Sequence, residues 1–416
     1  MRKLTVKNFS VIKDAELEFG KITVLTGPQA SGKSLLCKLA FFFAQVVPEI
    51  ENDMLTRRNS FDAFRERILQ EFFERFPRDA WTGQEFRITY ESVQFDIKVE
   101  VRETNMPPSV ELNSDFAERY NQFIGPAPEE YRTFNAIDPS WIDERVVYGP
   151  LRLEHSIYIP TGRAFFSTPN KGFASFSGKN LDWITQRFPT EMDFDYRALI
   201  ESSGSDQYLP YAFDKEAASI LGGRVRLSNG TPHFQLISSD RVLPFDLLSS
   251  GTMELLPLLN PLSKRVWRAR HPAVPINDIH GFGTIYIEEP ESSVFPKTQY
   301  QLVRLFAWLA SEPALNISLA ITTHSPYILT AFNDLIKAGQ TAKARPEKTA
   351  EIEKIIPKQY WINEGDFAAY AFDGKDGILH PIMDKETGMI NGDVLDDVSE
   401  TISDEFGQLL EIQYGD

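Results

Sequence analysis

Residues 27–34 read GPQASGKS, which fits the spacing G-x-x-x-x-G-K-[ST]. Each residue type has a task in gripping phosphate. Glycines let the backbone curl until successive N–H groups point inward at phosphate oxygens. A helix start behind them adds its positive dipole end. The lysine neutralises the β- and γ-phosphates of a nucleoside triphosphate, and the hydroxyl binds its Mg²⁺. The expected cradle is therefore Gly27, Pro28, Gln29, Ala30, Ser31, Gly32, Lys33 and Ser34, with Ser34 on the metal.

Three later stretches carry groups that suit the same chemistry. TIYIEEPE (284–291) is an apolar strand ending in carboxylates. Beside a phosphate loop, the last acid of such a strand can hold the Mg²⁺ shell, and the next can take a proton from the attacking water. That assigns Glu288 to the metal and Glu289 to the base, although aspartate is more usual at the first position. LSSGT (248–252) opens a helical stretch, so Ser249, Ser250 and Gly251 form either an anion site or a plain N-cap. ITTHSP (321–326) ends another apolar strand in His324, a group able to touch a γ-phosphate, to orient water or to serve structure alone.

The elements that must position these groups follow from periodicity. Leu4, Val6 and Phe9 mark one strand, and Ala15, Leu17 and Phe19 the next; 22–25 is a third that runs into the glycine loop, and 35–47 is helical. Phe61, Phe64, Ile68, Phe72, Phe73 and Phe76 recur at helical spacing, whereas Val93, Phe95, Ile97, Val99 and Val101 alternate as a half-buried strand. A helix is expected near 115–123 and another near 181–188, and Asn229-Gly230 signals a hairpin. From 252 the pattern reads helix, strand 284–288, helix 298–310, strand 317–322 and helix 326–338. That alternation argues for an α/β fold with a parallel sheet. Residues 339–358 read as a linker or exposed loop, 360–380 as a small β segment and 394–411 as an amphipathic acidic helix.

Composition is that of a globular protein: 42% hydrophobic and 25% charged. No apolar run reaches the ~18 residues of a membrane span. The single Cys37 excludes an internal disulfide, which with the absent signal-peptide pattern points to the cytoplasm. The net charge of −16 is unlike a freestanding nucleic-acid binder. Asp393, Asp396, Asp397, Glu400, Asp404, Glu405, Glu411 and Asp416 concentrate that charge in the tail.

Taken in order, GPQASGKS, LLSSGT, IYIEEPE and ITTHSP resemble the motifs of ABC-class ATPases, and of the SMC/RecF/OLD-like subgroup in particular. The resemblance covers 1–45 and about 150–335. It implies an ABC-type P-loop NTPase head: a mixed N-terminal β layer plus a parallel α/β core, with an α+β insertion. The domains are then 1–49 (P-loop lobe), 50–149 (inserted region), 150–338 (rest of the head) and 339–416 (β segment and acidic helix). It further implies ATP and Mg²⁺ as cofactors. In a homo-oligomer, dimer or higher, ATP would be sandwiched so that Ser249, Ser250 and Gly251 act on the partner subunit's nucleotide. His324 would sense the γ-phosphate, and YIPTGR (158–163) resembles a segment where such ATPases carry a nucleotide-site arginine, here Arg163. Phe9 reads as core or as an adenine-stacking ring. The residues after His324 lack the strand–acid repeat of a nuclease, and long coiled coils are absent. What remains resembles the compact AAA-family ATPases of bacterial anti-phage and abortive-infection systems, which implies a regulator of a separate effector, a nuclease or toxin. The alternatives are a RecF-like ATPase on duplex DNA, supported by Arg57, Arg58, Arg65, Arg67, Arg75 and Arg78 and by Lys264, Arg265, Arg268 and Arg270, and a nucleotide-gated scaffold with little turnover.

Overall fold

The computed structural model of the chain describes residues 2–81, 83–92, 96–101, 108–124, 132–133, 136–137, 155–167, 181–189, 212–228, 231–270, 282–374, 376–391 and 408. The expected acidic helix at 394–411 and the Asn229-Gly230 turn lie outside the described residues.

Strands β1 (Arg2–Phe9) and β2 (Ile12–Phe19) form the expected hairpin, and β3 (Ile22–Thr26) leads into the glycine loop. The helix after the loop, Lys33–Phe41, does not stop where the sequence suggested. It passes through a π-turn at Phe42–Val46 into a second helix, Val47–Thr56. The helix Phe61–Arg75 starts on Ser60, whose side chain accepts the Ala63 N–H, and it buries Phe64, Ile68 and Phe72 along one face.

Strands β4 (Phe86–Glu91), β5 (Asp96–Val101) and β6 (Ser109–Leu112) extend the hairpin into one antiparallel sheet, in the order β2-β1-β4-β5-β6. The stretch 50–149 therefore contributes strands to the N-terminal sheet: β4 pairs with β1 from Lys3–Glu91 to Lys7–Arg87. The helix Ser114–Ile124 and a two-residue pair, β7 (Arg132–Thr133) with β8 (Ala136–Ile137), follow.

The second sheet carries the strands that end in the motifs. Its order is β16-β15-β3-β14-β13-β9, with β9 at His155–Ile159, β13 at Phe282–Glu288, β14 at Ser318–Thr322, β15 at Phe367–Phe372 and β16 at Leu379–Pro381. All neighbours are parallel except the β15–β16 pair. The remaining strands, β10 (Gly223–Ser228), β11 (Thr231–Leu236) and β12 (Val242–Pro244), form a separate small sheet.

Side chains alternate across the parallel sheet as strand geometry requires. Val24, Ile157, Ile159, Ile285, Ile287, Leu319 and Ile321 face one core, shared with the helices Ser250–Arg270, Pro296–Ser311 and Pro326–Ala344. Leu25, Tyr158, Tyr286 and Ala320 face the other, shared with the first helix and the antiparallel sheet. Phe9 belongs to this second core, fully buried within 6.2 Å of Phe72, Phe76 and Phe86, so its ring is core.

One expectation is corrected. Residues 339–358 are not a loop: the helix from Pro326 runs on to Ala344, and a further helix spans Thr349–Ile355. Alanine, lysine, glutamine and glutamate are all good helix formers. Ile352 and Ile356 supply buried anchors that a linker lacks. Among the described residues, no helix is long and apolar enough to cross a membrane.

Candidate nucleotide site

Register places the motifs together. Leu25 of β3 lies level with Thr322 of β14, Thr322 with Glu288 of β13, and Ile287 with Ile159 of β9. The strands are parallel, so segments 27–34, 323–325, 289–293 and 160–163 all leave the same edge. Ligands of open parallel sheets bind at such carboxyl ends.

The loop after β3 needs its glycines. Gly27 has φ 132° and Gly32 has φ 108°. A Cβ at Gly27 would lie 2.5 Å from the Phe372 carbonyl oxygen, so β15 presses on the loop from behind. Lys33 is buried, and its Nζ donates to the carbonyls of Gly27 at 2.8 Å and Pro28 at 2.6 Å. Burial pushes the Lys33 ammonium below its ordinary range, against the pull of Glu289 and Glu291. The charges of those two carboxylates therefore act on the lysine.

Glu288 is buried, and both of its carboxylate oxygens are held. Oε1 accepts the Tyr158 hydroxyl at 2.6 Å, and Oε2 accepts the Thr161 N–H at 3.2 Å. The Tyr158 ring stacks on Tyr286 at 11° and lies 3.5 Å, through its hydroxyl, from the Ser34 carbonyl. Burial, with the Glu288 charge beside it, holds the Tyr158 phenol well above its ordinary range, so it stays a donor. Sequence reasoning missed Tyr158. Its only signal was its place on the opposite face of β9 from Ile157 and Ile159. Carboxylate and hydroxyl oxygens from Glu288 and Ser34 are a donor set suited to a hard cation such as Mg²⁺.

Tyr158→Phe is expected to lower thermal stability, because the buried Glu288 carboxylate loses a donor, and to lower turnover about 10-fold at limiting Mg²⁺. A hydrogen bond to a charged group contributes about 1.5–3 kcal/mol. A Mg²⁺ titration of phosphate release checks this, and an unchanged titration curve would remove Tyr158 from the site.

Arg163 differs from its expected role at the nucleotide. It is fully buried. Nε donates to the Glu254 carbonyl at 3.1 Å, Nη1 to Pro160 at 3.2 Å and Glu288 at 2.8 Å, and Nη2 to Glu289 at 3.1 Å. The Glu254 carboxylate, at 3.5 Å, is a charge contact rather than a hydrogen bond. With its donors turned to protein carbonyls, Arg163 ties the carboxylate-bearing strand end to the helix Ser250–Arg270. Ser167 adds a hydroxyl to the Met253 carbonyl, whose usual helical partner is missing because residue 257 is proline. Arg163→Ala is expected to cost about 3–5 kcal/mol in denaturant unfolding, as for other broken buried charge clusters. Arg163→Lys should recover little, since an ammonium cannot span four carbonyls as a planar fork does.

Glu289 sits just past the strand end with φ 40°, an uncommon backbone state for a non-glycine residue. Its N–H donates to the Thr322 carbonyl at 2.9 Å, which swings the side chain toward the next strand. There His324 Nε2 lies 3.6 Å from Glu289 Oε1. Lys33, Ser34, Glu288, Glu289 and His324 thus share one edge of the sheet. Ser249 and Ser250 are exposed at the helix start, with the Ser249 hydroxyl accepting the Thr252 N–H at 3.2 Å as a cap. Gly251 packs on the turn after β13, where a Cβ would lie 2.7 Å from the Ser293 carbonyl oxygen.

Residues 22–330 match the family model described as "AAA domain, putative AbiEii toxin, Type IV TA system". The chain belongs to this AAA family. The match runs from β3 into the start of the helix Pro326–Ala344, so every motif above lies inside it. It is a P-loop NTPase family. A search of curated proteins finds no match.

Among solved structures, the SMC head domain from Thermotoga maritima aligns over 91% of this chain and 97% of its own, at 12% identity and a TM-score of 0.40. An SMC head bound to the C-winged helix domain of ScpA gives 12% identity and 0.43 over 91% and 96%. An SMC head with an extended coiled coil, bound to the C-terminal domain of ScpA derived from Pyrococcus furiosus, gives 11% and 0.40 over 98% and 100%. The likeness is distant, and the fold described above stands on its own strand order.

Proposed function

We propose that this protein binds ATP–Mg²⁺ at the loop around Lys33 and hydrolyses it when a second copy closes over the site. The convergence of Lys33, Glu288, Glu289 and His324 on one sheet edge is the observation that carries this reading. In it, Lys33 leaves the Gly27 and Pro28 carbonyls to meet the β- and γ-phosphates. Glu288 and Ser34 hold the Mg²⁺ shell, Glu289 accepts the proton of the attacking water, and His324 stands on the γ-phosphate side. The exposed tip at Ser249, Ser250 and Gly251 supports a role toward another subunit's nucleotide. A cavity of about 170 Å³ borders Ala30 and Ser31, closed by Val11 and by the turn at Phe372, Gly374 and Gly377. Its lining includes Lys13 and Asp376 but none of Glu288, Glu289 and His324, which suits the nucleoside end.

Phosphate release by the purified protein with Mg²⁺-ATP, and an ATP-dependent increase in mass by light scattering, test the two halves separately. Absent release with intact dimerisation would favour the nucleotide-gated scaffold.

We further propose that the chain regulates a separate effector, a nuclease or toxin, in cytoplasmic anti-phage defence. The family description, which names a putative toxin of a type IV toxin–antitoxin system, supports a toxin–antitoxin setting for the chain. Recovery from cells of the ATPase alone would count against it. Duplex DNA is less well supported. Arg57 pairs with Asp53, Arg67 and Arg75 share Glu71, and Arg65 lies 3.7 Å from Asp62, so part of the cluster's positive charge is offset.

A further inference from the structure

Glu291 is the third acid of the turn after β13 and has no role in the reading above. Its Oε1 accepts the His324 N–H at 2.6 Å, joining two turns 33 residues apart. Its Oε2 is buried and accepts no hydrogen bond. Burial pushes the Glu291 carboxyl above the usual carboxylate range and the Glu289 charge adds to this, against the His324 N–H and the Thr323 hydroxyl. Leaving a carboxylate oxygen buried and unshared is unfavourable. The reason for a carboxylate here is then the contact that it does make, with the His324 N–H.

The neighbours of His324 show what that contact does. The Thr323 N–H is fixed to the sheet through the Leu25 carbonyl at 3.0 Å. Ser325 is fixed to two helices: its hydroxyl accepts the Ile328 N–H of the helix that follows and donates to Gln299 of the helix Pro296–Ser311 at 2.6 Å. Between these anchors, the backbone of His324 is held by Glu291. The same turn carries Glu289, whose carboxylate faces the His324 imidazole.

We propose that Glu291 is a positioning residue whose carboxylate clamps the His324 backbone and so sets the imidazole against Glu289. This inference rests on the ATPase reading, yet the clamp can be tested apart from it. Two variants separate the needs. Glu291→Ala removes the acceptor, and Glu291→Gln keeps one. In the alanine variant kcat should fall about 10-fold or more with KM for ATP within about 3-fold, the pattern of a lost alignment rather than lost binding. The glutamine variant should stay within about 3-fold of wild type. Added to His324→Ala, the alanine change should cost under about 2-fold, because residues acting through one another are not additive. Hydrogen exchange of the peptide spanning 319–329 should quicken in the alanine variant and not in the glutamine variant.

Undiminished kcat in Glu291→Ala would overturn the proposal. So would a glutamine variant as impaired as the alanine one, or an equal loss in the His324→Ala background. If the wild-type protein releases no phosphate, the ATPase reading fails. The exchange comparison still decides whether Glu291 holds His324, and unchanged exchange in Glu291→Ala refutes the clamp.

Discussion

Lys33→Ala should lose ATP affinity by a factor of about 10²–10⁴, the largest binding effect of any single change in this chain. The ammonium would meet two phosphates, and each charge-assisted hydrogen bond contributes about 1.5–3 kcal/mol, with 1.4 kcal/mol per factor of ten. In the structure its donors bond the Gly27 and Pro28 carbonyls, so binding exchanges those bonds for phosphate oxygens. The loop shape does not depend on the lysine alone. Gly27 is wedged against Phe372 and Gly32 against Ile12 and Val11. The alanine variant should therefore fold, and titration calorimetry with Mg²⁺-ATP can read the affinity on a folded protein. Affinity within 3-fold of wild type would place the phosphates elsewhere and remove the foundation of the mechanism.

How far the site was legible depends on the range of the interactions. The loop at 27–34 could be read because its chemistry is local: glycine conformations, a helix start and two side chains within eight positions. Glu288, Glu289 and His324 were legible for a related reason, since each closes an apolar run that can only be a buried strand. Residues reaching across the fold were not. Tyr158 is an ordinary aromatic in β9 until register sets β9 beside β13. Arg163 advertised a charge, and that charge reads as a ligand contact until burial shows it turned inward. Glu291 is one more acid after a proline until the fold sets the turn at His324 beside it. The pairings of β4 with β1 and of β15 with β3 join segments far apart in sequence, and periodicity within either segment says nothing about them. The helix at 339–344 was misread for the opposite reason: its exposed, polar composition was taken for a loop although its propensity is helical.

Glu289→Gln should leave ATP binding intact and lower turnover by about 10²–10⁴, the range that general-base catalysis supplies. Amide and carboxylate have nearly the same shape, so the turn after β13 has no cause to move. Its backbone is held independently, by Arg163 on the Glu289 carbonyl and by the Thr322 carbonyl on its N–H. What changes is charge. An amide cannot take the proton of the attacking water, and one negative charge acting on Lys33 disappears. A triphosphate arriving at that lysine then meets less repulsion, so affinity should be equal or higher. Hydrolysis is what would reopen a closed pair of subunits, so the variant should accumulate as an ATP-loaded dimer. Light scattering with and without ATP would detect it, and single-turnover phosphate release would measure the chemical step. Turnover at the wild-type rate would pass the base role to another group, with Glu291 the nearest carboxylate on the same turn. Loss of ATP binding in this variant would instead make Glu289 part of the cradle and leave the base unassigned.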